Sequence, residues 1–239
     1  MERKIFLRNA VGLFGVATLL DACKKDDDQT SNNNNTSGCI ASPTEVEGPY
    51  PYVGGEITNP LNRVDITEGQ PGVPFALTLK VVNSNNNCSV VENARVDIWY
   101  CNKDGYYSGY GNQTGGALGG TQSYIGETWL RGYQLTDANG EVHFTCIYPG
   151  WYQGRATHIH FEVFMNSVLK KTGQIAFNEA VSDVVHVSSL YAAHGTNTTR
   201  NSADGIFNNS STDLANETIT PTGDTATGYA ATHTIGVPL

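Results

Sequence analysis

The stretch YPGWYQGRATHIHFEVF, residues 148–164, places a histidine on either side of Ile159, six residues after Tyr152. If the run is a strand, His158 and His160 point to one face, because strand side chains alternate with period two. That face presents two imidazoles side by side. They either hold something or sit as two polar residues on an exposed surface.

Four further β-rich runs surround it: PFALTLKVV (74–82), ARVDIWYC (94–101), EVHFTCIY (141–148) and KTGQIAF (171–177). Turn chemistry separates them, at NSNNN (83–87), NKDG (102–105), DANG (137–140) and FMNS (164–167). TDANGEVHF reads as a hairpin entry, with Asn139-Gly140 supplying the positive φ that such turns need. Helical periodicity is scarce after residue 39, and there is no internal repeat. Many short strands with turn signals predict an all-β sandwich or barrel. Residues 109–128 and 184–217, rich in Gly, Ser, Asn and Thr, are expected to be long functional loops.

The N-terminal 22 residues read as an export signal rather than as fold. Arg3, Lys4 and Arg8 form a basic start, a short apolar run follows, and Ala22 precedes Cys23. LLDAC resembles a lipobox, with Asp21 an unusual neighbour, which makes Cys23 the expected lipidation site and the new N-terminus. RKIFLR also resembles a twin-arginine signal with Lys4 in the second arginine position. Residues 23–38 are expected to be a disordered tether, since KKDDDQTSNNNNTSG has almost no apolar content. The expected location is therefore outside the cytoplasm, lipid-anchored to the cell envelope at the outer membrane or cell surface, with the periplasmic face as the alternative. The membrane is a partner only through that anchor.

The full chain of 239 residues carries a formal charge of -9, and removal of the leader leaves eleven basic against twenty-one acidic side chains. That balance argues against nucleic acid or an anionic membrane surface as partner. The remaining residues, 39–239, suffice for one domain with a substantial core. Cys39, Cys88, Cys101 and Cys146 form either two disulfides, in any of three pairings, or buried thiols.

Two histidines on one strand face supply two metal ligands, so the remaining donors matter. Only Asp137, Glu141 and Glu162 accompany them in sequence, whereas Tyr152 lies upstream and Tyr106 and Tyr107 follow the DIWYC run. A histidine and tyrosine set suits a hard trivalent cation, because tyrosinate is a hard oxygen anion and the cation removes the phenol proton.

Three separated motifs carry a resemblance to a known family: SPTEVEGPYPY, DIWYCNKDGYYSGY and RGYQLTDANGEVHFTCIYPGWYQGRATHIHFEV. Together with RVDITEGQPGVPFALTL and the terminal GYAATHTIGV, they make residues 39–239 resemble an intradiol ring-cleavage dioxygenase. The match is to the exported, single-chain, protocatechuate-dioxygenase-like branch. The resemblance implies an all-β fold, a β-sandwich of mostly antiparallel strands with little helix. It also implies one non-haem ferric iron per chain, with O2 and a small catecholic substrate as partners. Position by position, it implies Tyr107, Tyr152, His158 and His160 as iron ligands, with Tyr152 the phenolate that leaves and takes a substrate proton. Arg155 steadies the bound catecholate, Gln174 stands behind it, and Gly48, Pro49 and Tyr50 line the pocket. The implied reaction opens the ring between the two hydroxyls to give a muconate-type diacid. The alternative is a cell-surface β-sandwich binding module with that metal site lost or repurposed. Retention of all four presumed ligands and the arginine favours the enzyme. His143, His186, His194 and His233 fall outside the motif and are expected to be structural or surface residues. The choice of catechol and the oligomeric state stay open.

Overall fold

Alternation along the strands explains how two sheets close on one core. A computed structural model places residues 40–239, and these are the residues described. The expected export signal (1–22), the expected lipidation site Cys23, the expected tether (23–38) and Cys39 lie outside them. Ten strands build two mixed sheets. In the first, β1 (Pro74–Asn83) pairs in parallel with β10 (Gly228–Val237) and in antiparallel fashion with β2 (Ser89–Val90) and β5 (Glu141–Ile147). β9 (Thr222–Asp224) lies outside β10. The second sheet runs in the order β4 (Arg131–Leu135), β3 (Arg95–Trp99), β6 (His158–Met165), β7 (Val168–Phe177) and β8 (Thr218–Ile219). Six of the eight strand pairings are antiparallel; β1 with β10 and β7 with β8 are the parallel ones.

The first sheet contributes Leu77, Leu79, Val142, Phe144 and Ile235 to the core, and the second adds Val96, Ile98, Ile159, Phe161 and Ile175. On β6 these core residues alternate with His158, His160 and Glu162, which face away from it and are nevertheless buried. The cover over this outer face is the segment 42–59. Ser42 N–H donates to Gly236 O at 2.9 Å, Glu45 N–H to Thr172 O at 3.1 Å, and Gln174 Nε2 to Val46 O at 2.9 Å. The buried Lys171 ammonium donates to Ser42 O at 2.7 Å and to Thr44 Oγ1 at 2.8 Å. The segment therefore crosses β7 as a strap and converts a sheet surface into a closed site.

Two expectations are corrected and one open alternative is decided. TDANGEVHF is not a hairpin within one sheet, because β4 belongs to one sheet and β5 to the other. Gly140 alone has positive φ (75°), and Asp137 ties the turn by accepting from Asn139 and Glu141 N–H. The left-handed residue is needed because Gly140 also accepts from Val81 N–H, and a Cβ there would press on Val81 O. Secondly, 184–217 is not all loop: it holds the end of α1 (Glu179–His186) and all of α2 (Ser211–Glu217), with Asn178 and Ser210 as side-chain N-caps. Thirdly, Cys101 and Cys146 are free and buried in separate apolar clusters, so the four cysteines do not form two disulfides. Cys88 is disulfide-bonded. Among the described residues no helix is long and apolar enough to cross a membrane.

Candidate active site

Register brings the site together. Antiparallel pairing sets Trp99 opposite His160 and His160 opposite Gln174, so the three share the outer face of the sheet. Trp99 stacks on the His160 ring, with centroids 5.0 Å apart and planes 8° from parallel. From the strap, Gly48 packs so closely that a Cβ there would stand 2.9 Å from His160 Cε1. Tyr50 stacks on Tyr107 at 4.6 Å and meets Tyr152 edge-on at 6.2 Å. Pro49, expected in the wall, lies at the exposed edge of the strap.

Tyr107 reaches the histidines from the loop after β3. Its backbone N–H donates to Gln113 Oε1 at 2.7 Å, and Gln113 Nε2 returns a bond to Tyr107 O at 2.7 Å. Its hydroxyl then lies 3.2 Å from His158 Nε2 and 3.1 Å from His160 Nε2, and the two nitrogens are 3.0 Å apart. Tyr106, the neighbouring candidate, points elsewhere: its hydroxyl accepts from Leu118 N–H and its ring packs on Tyr124. Tyr152 joins the cluster by its ring, 5.7 Å from that of His158, and its hydroxyl accepts from Arg155 Nη1 at 3.4 Å.

The protonation state of this triangle follows from its partners. His158 Nδ1 stands 2.6 Å from Ala156 O, and a carbonyl only accepts, so Nδ1 carries the proton and Nε2 turns a lone pair inward. Burial, then the Arg155 charge, pushes His158 down to about 3, and burial, then His158 and Arg155, pushes His160 well below the ordinary imidazole value. Two neutral imidazoles therefore face each other across 3.0 Å, and one phenol proton serves only one of them. His160 Nδ1 is buried with no hydrogen-bond partner. Burial also raises Tyr107 well above the usual phenol range and Tyr152 to about 12, so neither becomes a phenolate without a compensating cation.

A metal ion would suit this arrangement. It would take the inward lone pair of His158, bond His160 Nε2 in its Nδ1–H form, and lower the phenol pKa values. Imidazole–metal bonds run to about 2.0–2.1 Å, so a cation bonded to both Nε2 atoms would need them within about 4 Å of each other, and they lie 3.0 Å apart. Two imidazoles with phenol oxygens fit ferric iron, whose charge the oxygen anions balance. Among the described residues no group of three or more His, Cys, Asp or Glu is arranged to hold a metal.

Arg155 lies behind the triangle. Its Nε donates to Asp204 Oδ2 at 2.8 Å, its Nη2 to Gln174 Oε1 at 2.6 Å, and Nη1 stands 3.5 Å from His158 Nε2. Asp204, Trp99 and Gln113 have no counterpart among the sequence-derived candidates. Asp204 and Gln113 sit in polar, Gly-rich stretches where no periodicity singles them out, and the pairing register alone reveals what Trp99 touches. A cavity of about 300 Å³ opens beyond Tyr110, lined also by Pro51, Tyr52, Ile125 and Arg131, and none of the four candidate ligands borders it. Of the remaining histidines, His186 is buried and His194 stacks on Trp151 at 3.7 Å, which agrees with structural roles.

The chain has relatives of known structure that share this architecture. A family model described as dioxygenase matches residues 46–194. An intradiol ring-cleavage dioxygenase from Tetranychus urticae is 29% identical, with a TM-score of 0.71 over 84% of this chain and 96% of that one. The dioxygenase domain of a dioxygenase and carbohydrate-binding protein fusion from Streptomyces sp. SirexAA-E is 21% identical, with a TM-score of 0.56 over 81% and 95%. A 3-chlorocatechol 1,2-dioxygenase from Rhodococcus opacus 1CP is 16% identical, with a TM-score of 0.51 over 80% and 70%. The last two agree in fold. No curated protein sequence matches the chain. The chain belongs to the intradiol ring-cleavage dioxygenase family.

Proposed function

We propose that this protein is a non-haem ferric dioxygenase that opens a catechol between its two hydroxyl-bearing carbons with O2, giving a muconate-type diacid. The observation that carries the reading is the triangle of Tyr107 hydroxyl, His158 Nε2 and His160 Nε2, with sides of 3.0–3.2 Å. Tyr107, Tyr152, His158 and His160 are the residues that would hold the iron, and when bound it supplies Lewis acidity toward a catecholate and fixes its orientation.

The protein's own groups have separable tasks. Tyr152 Oη is the proton acceptor: as phenolate it takes a proton from a catechol hydroxyl and becomes a phenol, beside a guanidinium 3.4 Å away. Arg155 Nη1 then faces the atoms where negative charge grows, and stabilises it. Ala156 O fixes the His158 tautomer, while burial and the Arg155 charge keep the ring neutral. Trp99, Tyr50 and the strap keep water from the triangle. Export and a lipid anchor at Cys23 complete the proposal for location, and they rest on the leader sequence alone.

The test uses purified mature protein loaded with iron. The expected result is about one iron per chain, a burgundy colour from tyrosinate-to-iron charge transfer that shifts on adding catechol, and O2 uptake with a muconate-type product. An oxygen-uptake screen across substituted catechols then identifies the substrate. Colourless protein that retains no iron and consumes no O2 with any of them overturns the reading.

A further inference from the structure

The guanidinium of Arg155 has three nitrogens, and two are occupied. Asp204 holds Nε at 2.8 Å and Gln174 holds Nη2 at 2.6 Å, which leaves Nη1 to face Tyr152 and His158. Asp204 is completely buried. Its Oδ2 also accepts from Ala156 N–H at 2.6 Å, and its Oδ1 accepts from Ile206 N–H at 2.8 Å. Ala156 is the residue whose carbonyl holds the His158 Nδ1 proton. One carboxylate thus braces both the arginine and the residue that fixes the histidine tautomer.

The segment around Asp204 supports the same point. Asn197 Nδ2 donates to Arg155 O at 2.9 Å, and the Phe207 ring packs 5.9 Å from the guanidinium and 6.4 Å from the His158 ring. Asp204 lies beyond residue 194, where the family match ends. We propose that Asp204 is a positioning residue, which holds the Arg155 fork so that Nη1 alone is presented to the reacting atoms. This rests on the reading of the site as a catechol-cleaving centre. A carboxylate that only neutralised a buried arginine would act on folding and leave turnover per folded, iron-loaded chain unchanged.

Asp204→Asn separates these roles. The side chain keeps its shape, but its amide N–H group must oppose at least one of three N–H donors. The expected outcome is retained iron and charge-transfer band, with kcat/KM for catechol roughly 10–100-fold lower. In an Arg155→Ala background the same change should have less than about a twofold further effect, because the two residues act as one unit. An unchanged kcat/KM, or an equal loss in both backgrounds, overturns the proposal. If Asp204→Asn does not fold, Arg155→Lys decides: it keeps the charge and loses the fork, so it should fall as far as Arg155→Ala. Near-wild-type turnover in the lysine variant overturns the proposal. A readout free of turnover is the Arg155 Nε–H resonance of metal-free protein, which should exchange slowly in wild type and rapidly in Asp204→Asn. Equal exchange in both overturns the proposal. If wild type cleaves no catechol, the dioxygenase reading falls, and this resonance still decides whether Asp204 holds the guanidinium.

Discussion

His160 is fixed by what touches its ring more than by what bonds to it. Trp99 lies flat against it, Gly48 closes in at Cε1, and Nδ1 has no partner. Gly48 also has φ of +77°, so a side chain there is excluded twice. Gly48→Ala is predicted to lose about 1–3 kcal/mol from backbone strain and to displace an imidazole that Trp99 prevents from yielding. Iron content after dialysis should fall several-fold and the urea midpoint should drop; wild-type values for both would contradict this account. Tyr107→Phe makes the complementary case, since it deletes one oxygen and keeps the packing against Tyr50. It should remove iron and colour while the urea midpoint moves little, and full turnover would refute Tyr107 as a ligand. At this scale the sequence is legible where chemistry is local. Period two alone places the two histidines together, whereas choosing Tyr107 over Tyr106 needed the family motif, and the geometry then shows which hydroxyl points inward. Asp204 was not legible, because its contact with Arg155 spans 49 residues and no local pattern encodes it.

Among the elements, the strap does what the strands cannot. β6 would present its histidines to water, and the segment from Ser42 onward buries them. It is anchored at β10, where Ser42 and Gly236 exchange two hydrogen bonds, at 2.9 and 3.0 Å. Gly236 lacks a positive φ, so the need for glycine there is close approach: a Cβ would run into the carbonyl of Ile40. Gly236→Ala should therefore push the strap off its anchor and lose both bonds, each worth about 1 kcal/mol net. The check is limited proteolysis together with chemical denaturation. Faster cleavage near residue 40 and a loss of about 2 kcal/mol are expected, and unchanged proteolysis would show that the strap does not depend on this contact. The strands themselves were foreseeable from their apolar alternation. The strap was not, since 42–59 has no strand pattern and takes its place from Lys171, Gln174 and Gly236, all distant in sequence. The Asp137–Gly140 turn shows the same limit. Its residues specify a tight turn but cannot say whether the next strand returns to the same sheet, which the core packing of β5 decides.

Over the whole molecule, the acidic balance has a counterpart inside. Glu217 is buried beside Glu45, Asp213 and Asp204; burial, then Glu45, raises its carboxyl to about 8. Burial likewise raises Glu56 to about 7, against the pull of Tyr52 N–H and Arg131, and Asp97 to about 6, against Arg95. Each of these groups holds a proton in the folded chain that the unfolded chain has released. Their contribution is complete below about pH 4, where both states are protonated, and disappears as pH rises through about 6, 7 and 8 in turn. Asp204 has the opposite sign: burial opposes its charge, but Arg155 and two backbone N–H groups more than reverse that and lower it. Its contribution is lost only on acidification below the ordinary carboxylate range, outside this window. Stability should therefore fall from pH 5 to pH 8.5. We expect a Tm about 3–6 °C lower at the alkaline end, the shift that about 1.5 kcal/mol produces in a domain of this size. Glu217→Gln should flatten the slope, with a gain in Tm at pH 8.5 and little change at pH 5, because glutamine fixes the neutral form. Thermal scans on one iron-loaded preparation in both buffers provide the measurement. A Tm that rises with pH, or a glutamine variant with the wild-type slope, would place the burial penalty elsewhere than on these carboxyls.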